Sequence, residues 1–433
     1  MEVGTEHRQV VSNASPGPDV RTERGRVVVV GAGPAGLMAA ETVAAAGHPV
    51  TLIEQMPSAG RKLLMAGRGG LNLTHSEPIE SFLGRYGTAQ SLLEPAIRAF
   101  PPDALVAWAE TLGQETFVGT SGRVFPRAMK ASPLLRAWLG RLATLGVELR
   151  LRHRLVDLLP TGGVLIADAA GEHVEIGAEA VILALGGASW PRLGSDGHWT
   201  ALLGTKGIEV APLEAANSGV SIGWSRTLVE RHAGAPLKRI AVSCGTAASR
   251  GEAIVTASGL EGGAIYALST ALRTALRDRG SAALSIDLRP DISAEALAAR
   301  LASARKGDTQ SNILRKAGRL SPAAVAVLRE GVANRLPGEP AALAGLIKAV
   351  PLVVTGLGAI ETAISTAGGI SCQEINADFM LTKLPGVFCA GEMLDWEAPT
   401  GGYLLQACFA SGRAAAHGAL AHLKKTAQRA SAG

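Results

Sequence analysis

Cysteine is scarce and unpaired. Cys244, Cys372, Cys389 and Cys408 are the four in 433 residues, and no two have CxxC spacing. That excludes a redox-active dithiol of the CxxC kind. The nine histidines are not spaced around these cysteines as zinc ligands, so no metal is expected. Aromatic residues are only 4%, which weighs against a surface built on base-stacking platforms. No apolar stretch of about 18 residues runs free of charges and turn signals, so no membrane span is predicted. Lysine and arginine form no run. The formal net charge of +5 and pI of about 9.2 are therefore a mild bias, compatible with an anionic substrate or nucleic acid and with plain solubility. The first 25 residues carry Pro16 and Pro18 but no apolar core. They read as a disordered tail without a secretory signal, and a soluble, cytoplasmic chain is expected.

Against these absences, 47% of the residues are hydrophobic, enough for a large core, and the length calls for two or three domains. The strongest local pattern is Arg26-Val-Val-Val-Val-Gly31-Ala-Gly33-Pro-Ala35-Gly36, followed by an alanine-rich helix. A buried parallel strand reads as a continuous apolar run. Gly31 would permit the tight turn, Gly33 the close approach of a pyrophosphate, and Gly36 the packing of helix on strand. Backbone N–H groups and the helix dipole then face the phosphates. Val50-Thr-Leu-Ile-Glu54-Gln55 supplies a second strand ending in an acid, 18 positions past Gly36. Strand, turn, helix, strand and terminal carboxylate together predict an adenine-dinucleotide site, with Glu54 at a ribose.

Residues 60–75 place Arg61, Lys62 and Arg68 among four glycines, ending in Asn72 and His75. Such glycine density predicts backbone wrapped around an anionic ligand. Arg123, Arg127 and Lys130 form a second basic group, for which a ligand-facing and a solvated role stand equal. Residues 90–145 read as helices broken at Pro101-Pro102, and 147–185 as a β-meander with a Thr161-Gly-Gly turn, ending in a strand that runs into Gly186-Gly187. Residues 192–260 read as β-rich, Ser258 to Arg279 as an amphipathic helix, 293–348 as helical, and 349–369 as a return connection. Near the far end, a strand meets Gly391-Glu392, then Asp395, Glu397 and Gly401-Gly402-Tyr403 open the last helix. A carboxylate there suits ribityl hydroxyls, and a glycine pair at a helix start suits the anionic edge of a reduced flavin.

These stretches resemble the BaiN/YhiN-type family of FAD-dependent flavoproteins, also called aminoacetone-oxidase-like. The matching segments are GAGPAG at 31–36, GRKLLMAGRGGLNLTH at 60–75, GRVFPRAMKAS at 122–132, ALGGASWPRLGSDG at 184–197, TAGGIS at 366–371 and AGEMLDWEAPTGGYLLQ at 390–406. The resemblance implies an α/β protein with a glutathione-reductase-type Rossmann-like FAD domain, formed by 26–190 and 349–424. A β-rich insert (191–292) and a small helical subdomain (293–348) would interrupt it. It implies a tightly bound FAD, with Lys62, Asn72, Gly187, Glu392, Asp395 and Gly402 along the ribityl chain and isoalloxazine. Many members have Arg-Cys-Asn where this chain has Gly70-Leu71-Asn72, so a thiol acid is missing here.

Family activities include reduction of activated carbon–carbon double bonds, in steroid-like molecules or in uracil of ribosomal RNA, and amine oxidation. The reading is an FAD-dependent oxidoreductase, a reductase drawing hydride from transiently bound NAD(P)H for a small-molecule or RNA-borne double bond. The alternatives are a flavin amine oxidase, an RNA-modifying flavoprotein and an NAD-dependent dehydrogenase. His75, Tyr403 and Glu397 are the candidate acid–base groups, each beside a proposed flavin loop.

Overall fold

The computed structural model describes residues 25–305 and 307–432, so the expected tail over 1–25 lies almost wholly outside the described residues. Five parallel strands form the central sheet in the order Val387–Cys389, Ala180–Leu183, Val27–Val30, Val50–Glu54, Glu148–Leu151. All four valines of the central strand are buried, as expected of a strand covered on both faces. The sheet is thus completed by a strand some 360 positions from its centre, and only about three residues long. The helix Pro34–Ala45 leaves the central strand with proline in its first turn and packs against the long helix Tyr403–Ala432. Three antiparallel strands, Arg154–Leu158, Val164–Ala167 and His173–Ile176, form a meander inside the stretch 147–185 predicted as one, while Glu148–Leu151 and Ala180–Leu183 at its two ends belong to the parallel sheet.

One core gathers residues between Val27 and Ile208 with residues between Ile370 and Leu423, and a second lies wholly between Val220 and Val354. A closed antiparallel barrel supplies the second core: Val220–Ile222, Gly259–Glu261, Ala247–Val255, Pro236–Cys244, Ala282–Asp287 and Val350–Leu357. Four helices, Ala294–Ala302, Gln310–Lys316, Pro322–Gly331 and Pro340–Lys348, pack into that same core through residues such as Leu297, Leu314, Leu328 and Ile347. Each begins where a side chain accepts a first-turn N–H, from Ser293, Thr309, Ser321 and Glu339 in turn.

Two expectations are corrected here. Residues 349–369 are no connection: Val350–Leu357 alternates buried and exposed positions and closes the barrel, and Ser365–Ile370 pairs antiparallel with Val210–Ala216. The stretch from Ser258 begins with the barrel strand Gly259–Glu261, and its helix is split into Gly263–Tyr266 and Ser269–Arg279. The partners of Val350–Leu357 lie far off in sequence, so local periodicity could not reveal it, whereas Gly259–Glu261 pairs both with the neighbouring Ile254 and Val255 and with the distant Val220–Ile222.

Candidate cofactor and active site

The glycine turn divides its labour as the spacing demands. Gly31 has φ +101°, and a Cβ there would lie 2.3 Å from the Ala184 carbonyl oxygen of the neighbouring strand. At Gly36 a Cβ would meet the Gly31 oxygen at 1.8 Å, so the helix can sit on the turn only without a side chain. Gly33 has nothing within 4 Å of its missing Cβ, because that direction opens into a cleft. Glu54 ends the next strand at the same cleft, accepting N–H bonds from Ala32 (3.0 Å) and Met56 (2.8 Å). Burial nevertheless pushes its carboxyl above the ordinary value, against those N–H bonds and the pull of Arg61.

The far end of the cleft is closed by an ion pair. Lys62 Nζ lies 2.5 Å from Glu392 Oε2 and donates to Ser189 Oγ at 2.6 Å. Glu392 also accepts from the N–H groups of Thr366 (3.0 Å) and Gly187 (3.4 Å). Ala35, Gln55, Arg61, Gly186 and Gly391 join Gly31, Gly33, Glu54, Lys62 and Glu392 in the wall. Gly36 lies behind the turn, and Gly187 is pressed against Thr366, outside the wall itself. Residues that spacing did not single out also line it: Ser195, Asp196, Trp199 and the start of the meander, His153 to Val156. The GSDG segment at 194–197 carried a signal, since Gly194 (φ +100°) and Gly197 (φ +71°) bracket Ser195 and Asp196. Cys408 borders the cleft too, but burial pushes its thiol up to about 12, so it stays protonated and unreactive.

This cleft fits a dinucleotide. Ser195 Oγ and Arg61 Nε are buried at its wall with no hydrogen-bond partner, and the Gly33 backbone faces it bare. Buried polar atoms without partners are rare in native folds, and a polar ligand satisfies them. Asn72 Oδ1 is likewise buried without a partner, beside the buried Leu71.

A second cavity, about 850 Å³, lies between the two cores. The segment Gly391 to Glu397 runs from one to the other: Gly391 and Glu392 face the first cleft, Asp395, Trp396 and Glu397 the second. Glu397 is held by the buried Arg273 and by Thr270 Oγ1 at 3.0 Å, while Arg273 also donates to the Ala215 carbonyl at 3.3 Å. Glu214 bonds Arg277 at 2.6 Å on the same wall. Asp395 has no side-chain partner among the described residues. Burial, then the charge of Glu397, holds its carboxyl above the ordinary range.

His75 and Tyr403 line neither cavity and form a separate cluster. Their rings stack with centroids 5.4 Å apart. His75 Nδ1 accepts from the Glu77 N–H (3.1 Å), which leaves Nε2 protonated to donate to the Ser121 carbonyl (2.9 Å), so neither ring nitrogen is free. The Tyr403 hydroxyl donates to Glu77, which also pairs with Arg85 at 2.7 Å. Arg85 itself borders the second cavity. Gly401 and Gly402, at φ +133° and +100°, bring the start of the last helix against the Thr74 backbone, where a Cβ on Gly402 would lie 2.5 Å away.

Known proteins extend these observations. The HI0933-like protein Rossmann domain model matches residues 25–418. A 3-dehydro-bile acid delta(4,6)-reductase from Clostridium scindens is 25% identical over 89% of this chain and 97% of its own length. A ribosomal RNA dihydrouridine synthase from Escherichia coli is 24% identical over 92% and 99%. In fold, the chain resembles a flavocytochrome c3 fumarate reductase, with TM-score 0.51 and 19% identity over 93% of this chain and 79% of that one. The chain belongs to the HI0933-like (BaiN/YhiN-type) family and is an FAD-dependent oxidoreductase.

Proposed function

We propose that this protein is a cytoplasmic reductase that takes hydride from NAD(P)H and delivers it to an activated carbon–carbon double bond bound in the second cavity. The observation carrying this reading is the single segment Gly391 to Glu397, which joins a dinucleotide cleft to a second cavity walled by Asp395, Glu397 and Arg273. FAD, when bound, supplies the hydride-accepting and hydride-donating chemistry. The residues proposed to hold it are those of the first cleft, with Asn72, Gly187, Gly401 and Gly402 beyond the Lys62–Glu392 pair. Net reduction adds one hydride to one carbon and one proton to its neighbour, and oxidises NAD(P)H to NAD(P)+. Of the cavity's acids, Asp395 is the one without a side-chain partner among the described residues, and burial and then Glu397 strengthen its hold on a proton, so we assign it the proton donation. Glu397 then orders the wall through Arg273, and Tyr403 orders Arg85 of the same cavity through Glu77.

The small-molecule reading leans on the bile-acid reductase relative, and the RNA-borne reading on the dihydrouridine synthase relative. An anaerobic assay separates them. NADH or NADPH should bleach the bound flavin, and an enone or a uridine-bearing RNA should restore its colour. A flavin that neither nucleotide reduces, but that primary amines do, would replace this reading with an amine oxidase.

A further inference from the structure

The positive charge is not spread over the molecule. Residues 217–364 hold 18 Lys and Arg against 11 Asp and Glu, a net of +7, and the remaining residues hold 24 against 26, a net of −2. Within that unit four arginines converge. Arg239 lies on the strand Pro236–Cys244, two residues before Ala241, which pairs with Asp287, and Arg289 lies two residues beyond Asp287. Arg289 Nη1 donates to the Gly318 carbonyl at 2.5 Å and lies 3.4 Å from the Arg319 carbonyl, so the turn carrying Arg319 is fastened beside it. Arg300 comes from the helix Ala294–Ala302. Arg239 and Arg319 are both at φ +52°, a left-handed conformation that arginine rarely adopts, and the first of them sits at a bulge between Leu237 and Ile240.

The cluster has little counter-charge. Among the described residues the side chains of Arg239, Arg300 and Arg319 have no hydrogen-bond or ion-pair partner. Burial depresses the Arg289 pKa, and Arg300, Arg319 and Arg239 depress it further; of the nearby anions, Asp291 is already bonded to Arg250, and Asp287, which accepts the Arg289 N–H, is paired with Lys348. Holding like charges together at strained backbone costs stability, and guanidinium groups with unused N–H donors match phosphate oxygens.

We propose that Arg239, Arg289, Arg300 and Arg319 form a phosphate-binding site that docks the backbone of a nucleic acid. Position favours a polymer over a phosphorylated small substrate. None of the four lines the second cavity, and the unit that carries them has a net charge of +7, which suits a polyanion. The site rests on its own residues and stands whether or not the reductase reading does.

The test uses the flavin-loaded full chain and a labelled structured RNA, with binding followed by anisotropy across salt concentrations. Arg239→Asn, Arg300→Gln and Arg319→Asn are made together, asparagine being tolerated at positive φ and glutamine in a helix. Unchanged flavin content and melting temperature establish that the variant is folded. Loss of at least about tenfold in RNA affinity, with the slope of log K against log salt shallower by about 2, is the expected result. Wild-type RNA affinity in the folded triple variant overturns the proposal, as does the absence of RNA binding to the wild type at low salt. Inorganic phosphate or a mononucleotide binding as tightly as RNA would also overturn it, by assigning the cluster to a small anion.

Discussion

Tyr403 donates a 2.7 Å hydrogen bond to Glu77, 326 positions away, and Arg85 holds the same carboxylate from its other side. The three groups polarise one another. Arg85 lowers the Glu77 pKa, with Tyr403 assisting, while burial and then Glu77 raise the Tyr403 hydroxyl well above its usual value. A depressed carboxyl contributes stability that is present above its unfolded value and lost as pH falls through the folded one. Glu77→Gln should therefore lower stability at neutral pH and flatten its decline below about pH 4.5. Tyr403→Phe should cost about 1 kcal/mol in denaturant unfolding and leave flavin content unchanged.

The two inner glycines of the turn should fail differently. Gly36→Ala drives a methyl into the Gly31 carbonyl and should destabilise the fold by about 1–3 kcal/mol or more, even without flavin. Gly33→Ala meets no protein atom within 4 Å, so the flavin-free protein should melt normally while FAD affinity falls. Equal losses of melting temperature in both variants would contradict a Gly33 that faces a ligand.

Asp395 offers the opposite pH sign to Glu77. Its raised pKa means that the native state binds the proton more tightly, so its contribution favours folding at acid pH and is lost as pH rises through the raised value. Asp395→Asn should be more stable than wild type at neutral pH, a comparison that needs only denaturant curves at two pH values. In turnover, the variant's flavin should still be reduced by NAD(P)H, but reoxidation by an enone should slow about 10²–10⁴-fold.

Arginines 273 and 277 test what burial is worth. Arg273 is 7% exposed, and its loss strands Glu397 and the Ala215 carbonyl. Arg273→Ala should cost about 3–5 kcal/mol. The Arg277 side chain is 65% exposed beside the same Glu214, and Arg277→Ala should cost less than about 1 kcal/mol.

What could be read from sequence was what is local. Gly31, Gly33, Gly36 and Glu54 lie within two adjacent strands and one turn, so their spacing carries their geometry. Lys62 and Glu392 were both marked as ligand-facing, yet their pairing over 330 positions had no local signature. The resemblance puts Asp395 among the cofactor residues and the structure sets it on the second cavity, since a segment that passes from one pocket to another carries no mark of where it crosses. The barrel strand Val350–Leu357 was missed for a related reason: its alternation is plain only once Ala282–Asp287 and Val220–Ile222 are known to flank it. Glu77 and Arg85 carry no signal in the sequence, because isolated surface-type charges gain meaning only from the partner that the fold brings.

The ribbon that carries the barrel has an evolutionary consequence. Val210–Ala216 and Ser365–Ile370 pair antiparallel, and their last partners are Ala216 and Ser365. Everything between them leaves and returns through adjacent residues, so it can be exchanged like a cassette: a tight hairpin would join the same two strands. Lineages sharing this flavin domain can therefore acquire new substrates by replacing one contiguous stretch, without disturbing the parallel sheet.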